Sequence, residues 1–315
     1  MLSLWPAPEA KRIPVVLLTD IGDDIDDTWA LGLLLQCSEF DLKLIVTDYG
    51  KAQYRARIIA KFLQETEHER VPIGLGPDPK TGAMSPPGEN NQAPWIKGFE
   101  LANYRGKVHQ DGVKALIDTV MRSREQVTIL AIGPVTTLAA ALEREPRIAT
   151  KARVVGMHGS VRKGYGNQPT PSKEYNVERD IPACQKVFRA AWPMLITPLD
   201  TCGLVSIHTE RYKKLLSSRN KIVTTILANY AIWEAAVNRR QDRTLNPNQS
   251  STLFDTAAVY LALADHSLMR TERLKIAVND QGFTVENPNG KEMEVALAWN
   301  DLGAFHDFLV ERLMR

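Results

Sequence analysis

The sequence has 315 residues, of which 44% are hydrophobic and 24% charged, and its formal net charge is +2 at pH 7. This is the composition of an ordinary globular protein, without the charge excess of a nucleic-acid-binding protein or of a membrane-surface patch. The apolar runs are shorter than a membrane span, and the opening MLSLWPAPEA lacks the basic start and apolar core of a signal peptide. We therefore expect a cytoplasmic protein that binds neither nucleic acid nor a membrane. Its three widely spaced cysteines are expected to stay reduced.

Candidate strands and helices alternate along the first two-thirds of the chain. Strands are expected at 13–19, 42–48, 71–75, 127–132, 154–157 and 194–199, and helices at 28–35, 54–63, 113–121, 138–142 and 183–190. Such alternation is typical of a parallel sheet with helices on both faces. The region 76–106 contains five prolines and is expected to be a long loop.

The last third of the chain departs from this alternation. Helices are expected at 222–238, 255–263 and 302–313, with a polar loop at 239–251 and a β-excursion with two turns at 274–299. The sequence thus predicts one α/β domain over residues 1–315. Its central sheet would be open, mostly parallel and Rossmann-like, with helices on both faces and a small C-terminal β-excursion.

The stretch VVLLTDIGDDIDDTWALGLLL, residues 15–35, carries the strongest functional signal. A buried strand ends there in five aspartates within eight residues, and an apolar helix follows. Ligands bind at the carboxyl ends of the strands in an open α/β sheet, so these carboxylates lie where a site is expected. Close carboxylates repel each other by about 1 kcal/mol per pair even in water-like surroundings, which favours a hard cation such as Ca²⁺ among them. The alternative is a helix start with favourable acidic residues, for which one or two aspartates would suffice.

Further polar residues follow other strands or begin helices. Each of them alone could be a solvated loop residue or a helix cap. Together, amides and carboxylates around a metal would suit a polyhydroxylated ligand such as a sugar. The residues are Asp48, Lys51, Thr136, Asn167, Glu174, Asn176 and Asp255.

Four ordered segments resemble the inosine-uridine-preferring nucleoside hydrolase family. TDIGDDIDDTWAL looks like the family's N-terminal aspartate signature, and IGPVTTLAAAL is similar to its GPLTNLA segment. GMHGSVRKGYGNQPTPSKEYNVERDIPA resembles the stretch with the family's MGG, GN and EFN motifs, and LFDTAAVYLAL resembles its HDP segment. The resemblance covers nearly the whole chain, so the predicted unit is one nucleoside hydrolase-like domain.

The resemblance implies hydrolysis of the N-glycosidic bond of a ribonucleoside, releasing ribose and free base for nucleoside catabolism or salvage. The reaction would use a Ca²⁺-bound water and pass through an oxocarbenium-like transition state. Because relatives are commonly dimers or tetramers, a homodimer or homotetramer is expected. By motif position, Asp20 would be the general base and a metal ligand. The other metal ligands would be Asp27, Asp255 and the main-chain carbonyl of Thr136, and the ribose would be held by Asp26, Asn167, Glu174 and Asn176.

The sequence departs from the family pattern in three places. The aspartate motif is expanded, which leaves the roles of Asp23 and Asp24 open, with Asp24 the better candidate for the site. Many relatives have a histidine that is proposed to protonate the departing base where Phe254 stands. Lys51 replaces a common asparagine and suggests a phosphorylated substrate, or else simply an ion pair with a surplus aspartate.

Without that histidine, the leaving base must be activated in another way. Stacking on Trp95, Tyr230 or Trp233 could raise the proton affinity of the base, although each of these aromatic residues also suits a core position. His109 and His158 could be donors but are expected to be structural.

Two competing functions can be weighed. A phosphatase with an aspartate nucleophile would need a second aspartate where Gly22 stands, which disfavours that class. A ribosyl-binding relative with little or no catalytic activity would keep the metal cage and lack activation of the leaving group. A hydrolase of a phosphorylated or other N-riboside is a further alternative.

Overall fold

The apolar run that precedes the aspartates forms an interior strand of a large sheet. The computed structural model describes residues 11–78, 90–241 and 247–315. Within these residues ten strands form one sheet. They are β1 (Ile13–Thr19), β2 (Phe40–Thr47), β3 (Ile73–Gly74), β4 (Val108–His109), β5 (Val127–Ala131), β6 (Ala152–Met157), β7 (Met194–Thr197), β8 (Met269–Val278), β9 (Thr284–Glu286) and β10 (Lys291–Trp299).

Eleven α-helices accompany the strands in the same described residues. They are α1 (Asp26–Gln36), α2 (Ala52–Glu65), α3 (Gly112–Arg122), α4 (Thr136–Arg144), α5 (Tyr175–Arg179), α6 (Ile181–Arg189), α7 (Leu199–Cys202), α8 (Thr209–Leu216), α9 (Lys221–Gln241), α10 (Phe254–Leu261) and α11 (Leu302–Leu313). No helix in the described ranges is long and apolar enough to cross a membrane.

Strand β1 shows why helices cover both faces of the sheet. Val15 and Leu17 point into one hydrophobic core, and Val16 and Leu18 point into a second core on the opposite face. All four side chains are fully buried. A strand buried on both faces has a continuous apolar sequence, and parallel sheets of this kind are covered by helices on each side. The expected α/β fold is therefore confirmed.

The order of the strands creates the place for a site. The sheet runs β4-β3-β2-β1-β5-β6-β7-β10-β8-β9, and the strands from β4 to β7 are paired in parallel. After β1 the chain builds outward through β2 to β4, and β5 then returns to the other side of β1. This reversal is a topological switch point, where the loops leaving β1 and β5 diverge and open a crevice.

The C-terminal β-excursion has the two expected turns, but it extends the main sheet instead of standing beside it. β10 pairs in parallel with β7, with Glu294 opposite Leu195 and Val295 opposite Ile196. β8 and β9 then continue the sheet in antiparallel fashion.

Several element boundaries differ from the prediction. The third strand is only two residues long, and the sequence patterns gave no signal for β4 or for the short helices α5, α7 and α8. In the long loop, residues 79–89 lie outside the described chain, and the remainder contains 3-10 turns at Ala93–Ile96 and Leu101–Asn103. Helix α9 continues to Gln241, into the region expected to be a polar loop, of which residues 242–246 are outside the description.

Candidate active site

A cavity of about 330 Å³ lies at the switch point. It is lined by the aspartates of residues 20–27, a segment that we call the aspartate loop. This volume is at the lower end of the range for small-molecule sites. The described residues that line it come from distant parts of the chain. They are Asp20, Asp23, Asp24, Asp26, Asp27, Asn91, Ile132, Met157, Tyr165, Glu174, Tyr175, Asn176, Trp233, Val237, Phe254 and Asp255.

Three buried carboxylates form a group with the spacing of a metal site. Asp26 and Asp27 open helix α1, and Asp255 lies in the first turn of α10, which packs against α1. One carboxylate oxygen from each of the three lies within 4.8 Å of the others. The hydroxyl of Thr19 donates a hydrogen bond to Asp27 and helps to orient it. Hard oxygen donors at this spacing suit a divalent cation.

The electrostatics of this group also favour binding of a cation. Burial, followed by repulsion from neighbouring carboxylates, raises the pKa of Asp26, Asp27 and Asp255 well above the ordinary value of an aspartate. Buried carboxylates with raised pKa values bind either protons or a cation. The expected metal site is therefore well matched by residues of this chain, although Asp26, expected to hold ribose, belongs to the group and Asp20 does not.

Asp20 lies beside this group and lines the cavity. The pKa of Asp20 is raised to about 7, mainly by burial. The positive charge of Arg55 lowers this pKa, and the nearby carboxylates raise it. A Cβ atom at Gly133 would lie 3.0 Å from the Asp20 carboxylate, so the turn after β5 fits closely against this side chain only because residue 133 is glycine. A carboxyl group with a pKa near neutrality is suited to proton transfer.

The aspartate loop is supported from below by Arg55, which sequence reasoning missed. Its side chain is fully buried and donates hydrogen bonds to the main-chain carbonyls of Asp20 and Ile21. A signal was available, because Arg55 shares the helical spacing of the apolar residues Ile58 and Phe62 in α2. A charged residue on an apolar helix face is rarely buried without a partner.

The structure also defines the positions of the two ambiguous aspartates. Asp23 is buried and pairs with Lys51 at 2.9 Å and with Arg55 at 3.0 Å. The Lys51 side chain thus makes the ion pair that was the simpler of its two explanations, and it does not line the cavity. Asp24 is exposed and lines the cavity.

Glu174 and Asn176 reach the cavity from the start of α5. Glu174 caps this helix and accepts N–H bonds from Gly159, Asn176 and Val177 at 2.8–3.2 Å. Its pKa is raised by burial to about 7. The Asn176 amide donates to the main-chain oxygens of Met157 and Ile132, at 3.0 and 3.3 Å. Rigid polar groups of this kind are suited to hold sugar hydroxyls.

Two predicted site residues are not brought to the cavity. Asn167 is exposed, with a positive φ of 60°, and does not line it. Thr136 is the first residue of α4, and its hydroxyl donates to Asp180 at 2.8 Å. A carbonyl at that position points along the helix and away from the sheet edge. Ile132, four residues earlier, does line the cavity, so its main-chain carbonyl is a better placed neutral donor.

An aromatic wall forms another side of the cavity. Trp233 and Phe254, both possible site residues from the sequence, line it together with Tyr165 and Tyr175, which were not predicted. The rings of Tyr165 and Phe254 meet edge to face with centroids 6.1 Å apart.

Other aromatic candidates lie in the core. Trp95 is buried beneath Lys61, whose ammonium lies 4.8 Å from the ring centroid, and Tyr230 packs between Trp29 and Trp233. His158 is buried, and its Nε2 lies 2.9 Å from the carbonyl oxygen of Gly133. Burial lowers its pKa to about 4. The structural role expected for His158 is consistent with this environment, and among the described residues no histidine lines the cavity.

Comparisons with known proteins identify the family of this chain. A model of the family described as inosine-uridine preferring nucleoside hydrolase matches residues 15–305. The chain is 28% identical over 229 residues to the non-specific ribonucleoside hydrolase RihC of Klebsiella pneumoniae subsp. pneumoniae, a match that covers 70% of this chain and 72% of the relative. It is also 28% identical over 237 residues to the pyrimidine-specific ribonucleoside hydrolase RihA of Escherichia coli O1:K1 / APEC, covering 68% and 70% of the two chains.

Solved structures show the same fold at lower identity. The plant nucleoside hydrolase PpNRh1 superposes with a TM-score of 0.78 at 21% identity, over 96% of this chain and 99% of that one. The inosine-uridine preferring nucleoside hydrolase from Bacillus anthracis superposes with a TM-score of 0.77 at 20% identity, with the same coverage.

The open, mostly parallel sheet of this chain is the fold that these nucleoside hydrolase structures share. The chain belongs to the inosine-uridine preferring nucleoside hydrolase family, whose model matches residues 15–305.

The raised carboxyl pKa values predict how a divalent cation changes stability with pH. Without a cation, the folded protein binds more protons at these carboxyls than the unfolded chain, whose aspartates have pKa values of about 3.9. Their contribution to the free energy of unfolding therefore decreases as the pH rises from about 4 through the folded-state value of about 7 for Asp20. A bound cation replaces those protons. Calcium chloride should accordingly raise the Tm more at about pH 8 than at about pH 5.

Thermal unfolding followed by circular dichroism, with calcium chloride or a chelator, measures this difference. The variant Asp255→Asn is the control and should lose most of the calcium effect. An equal rise in Tm at both pH values in the wild-type protein would contradict a cation bound by these carboxylates.

Proposed function

We propose that this chain cleaves the N-glycosidic bond of ribonucleosides in the cavity at the switch point, with Asp20 as the general base. The observation that carries the proposal is the convergence of Asp20 with the buried carboxylates of Asp26, Asp27 and Asp255 in one cavity. That cavity also contains amide and carboxylate groups suited to a sugar and aromatic side chains suited to a base.

The chemistry of glycosidic cleavage fits these groups. As the bond to the base breaks, positive charge develops on the ribose ring, and fixed carboxylates nearby stabilise it. Glu174 and Asn176 are held by main-chain hydrogen bonds, so they can bind ribose hydroxyls without reorganising. Asp20, with its raised pKa, is suited to accept the proton of the attacking water.

We further propose Ca²⁺ as the cation, held by Asp27, Asp255 and the Ile132 carbonyl, with Asp20 or Asp26 completing the carboxylate set. Carboxylate, carbonyl and water oxygens are the ligands that Ca²⁺ prefers, and all of these donors line one cavity. A bound Ca²⁺ would orient a water molecule and lower its pKa modestly. Asp26 has two assignments, as a cation ligand by its spacing and as a ribose ligand by motif position. Adjacent residues on a helix point about 100° apart, so Asp26 can bind ribose while Asp27 faces the cation.

The departing base would be received by the aromatic wall. Trp233 and Phe254 offer apolar ring faces, and Tyr165 adds a hydroxyl group. The Tyr165 oxygen accepts the N–H of Tyr175 at 2.9 Å, which leaves its own hydrogen able to point at a base. A phenol has an ordinary pKa of about 10, so the Tyr165 hydroxyl remains protonated at neutral pH. We propose that stacking and this hydroxyl together replace the histidine that many relatives have at the position of Phe254.

The reaction itself is tested by release of reducing sugar from a panel of purine and pyrimidine ribonucleosides with calcium present. The wild-type protein should release ribose, and Asp20→Asn should lose at least about 100-fold in kcat because the base is gone. Asp118→Asn, on helix α3 and outside the lining of the cavity, is a matched control and should retain activity. Calcium binding without any sugar release would instead favour a ribosyl-binding protein.

The charge of the cavity predicts discrimination against phosphorylated substrates. Its described lining contains seven acidic side chains and no lysine or arginine, and Lys51 is paired with Asp23. A 5′-monophosphate would bring two negative charges into this field, so kcat/KM should be at least about tenfold lower for a nucleoside 5′-monophosphate than for its nucleoside. Equal or better turnover of the monophosphate, lost in Lys51→Ala, would instead support the phosphorylated-substrate alternative.

A further inference from the structure

We propose that Arg55 is a positioning residue for the general base: it holds the Asp20 main chain in place, with Asp23 as its buried counter-charge. This inference rests on the proposed role of Asp20. It assigns the expanded aspartate loop a function other than binding metal or sugar.

The hydrogen bonds of Arg55 join the ends of two neighbouring strands. Its Nη1 donates to the carbonyl oxygens of Asp20 and Ile21, which follow β1. Its Nε and Nη2 donate to the carbonyl oxygens of Gly50 and Tyr49, which follow β2, at 3.0 and 3.3 Å. One rigid, planar group therefore fixes both loops against each other at the switch point.

The same guanidinium explains where Asp23 points. The Asp23 carboxylate accepts hydrogen bonds from Arg55 at 3.0 Å and from Lys51 at 2.9 Å. Both carboxylate oxygens are therefore bound by cationic side chains of α2 and of its N-cap. The Asn91 amide holds the Asp23 carbonyl at 2.7 Å. A buried guanidinium needs a nearby negative charge, and Asp23 supplies it. The three grouped carboxylates of Asp26, Asp27 and Asp255 are not needed for that ion pair.

Position matters at Asp20 because the surrounding space is tight. Gly133 already fits against its carboxylate, and the side chain is only 6% exposed. A general base displaced by about 1 Å loses much of its effect, and the bond from Arg55 acts on the main chain of that residue. A lysine at position 55 would keep the positive charge. Its ammonium group lacks the planar arrangement of N–H donors with which a guanidinium can bond several carbonyl oxygens at once.

Helix α2 provides a matched control. Arg57 also donates to main-chain carbonyls, those of Phe99 at 2.8 Å and Ile96 at 3.1 Å, and it forms an ion pair with Glu100. None of these contacts reaches the aspartate loop. Arg57→Lys therefore reproduces the loss of an arginine–carbonyl contact on the same helix without disturbing Asp20.

The test compares kcat, KM and calcium affinity in Arg55→Lys and Arg57→Lys, using the nucleoside that the wild-type protein turns over best. Arg55→Lys should lower kcat about 10- to 100-fold, the range found when outer partners of a site are lost. KM and the calcium Kd from calorimetry should each change by much less than kcat, because the other groups that bind substrate and cation stay in place even where Asp20 is also a cation ligand. Arg57→Lys should change all three by less than about twofold.

Unchanged kcat in a folded Arg55→Lys protein would overturn the proposal, as would a fall in kcat matched by an equal loss of calcium affinity. If Arg55→Lys does not fold, Asp23→Asn gives the answer: kcat should fall at least about threefold with calcium affinity unchanged. A weaker calcium affinity in Asp23→Asn would make Asp23 a metal ligand and overturn its assignment. Asp20→Asn is measured in parallel, and its retained activity would refute the proposed base itself.

Discussion

The burial of several carboxylates at the end of an apolar strand is the constraint on which this structure depends. Asp20, Asp26, Asp27 and Asp255 are all at most 6% exposed, and burial raises the pKa of each. Charges removed from water need positive partners or protons. The positive charge of Arg55 opposes the rise in pKa at Asp20 and Asp27, and the spacing of three of the carboxylates suits a divalent cation as a further positive partner. In the proposed reaction, the same buried carboxylates would hold negative charge close to the ribose, where positive charge develops.

The topology of the sheet brings these groups together. The aspartate loop leaves β1, Ile132 follows β5, and Glu174 and Asn176 come after β6. Asp255 arrives more than two hundred residues after Asp20, on a helix that packs against α1. Because parallel strands end at one edge, side chains from distant segments meet there without long connections crossing the sheet. The reversal of strand order beside β1 provides the opening for a ligand.

Much of the fold and the centre of the site could be predicted from local sequence patterns. β1 is a continuous apolar run, and α11 has a clear helical period, so both were placed with the correct bounds. Two-residue strands such as β4 and short helices such as α5 have too few residues to show a period. Their formation depends on neighbours that the sequence does not reveal.

The errors at the site have similar causes. Motif position alone could not show that the Thr136 carbonyl is committed to its helix, nor that Asn167 lies exposed outside the cavity. Arg55 and its partner Asp23 are separated by about thirty residues, so their pairing follows from the packing of α2 and not from spacing. Tyr165 occurs in a polar, glycine-rich segment that carried no aromatic pattern. Side-chain direction and tertiary contact decided each of these cases.

The most direct test of the account is the number of calcium ions bound per chain at about pH 8, measured by equilibrium dialysis with elemental analysis. The account predicts about one ion per wild-type chain, and at least about tenfold weaker binding in Asp27→Asn and in Asp255→Asn. Equal calcium binding in the wild-type protein and both variants would contradict it, because the buried carboxylates would then be compensated by something other than a cation in this cavity.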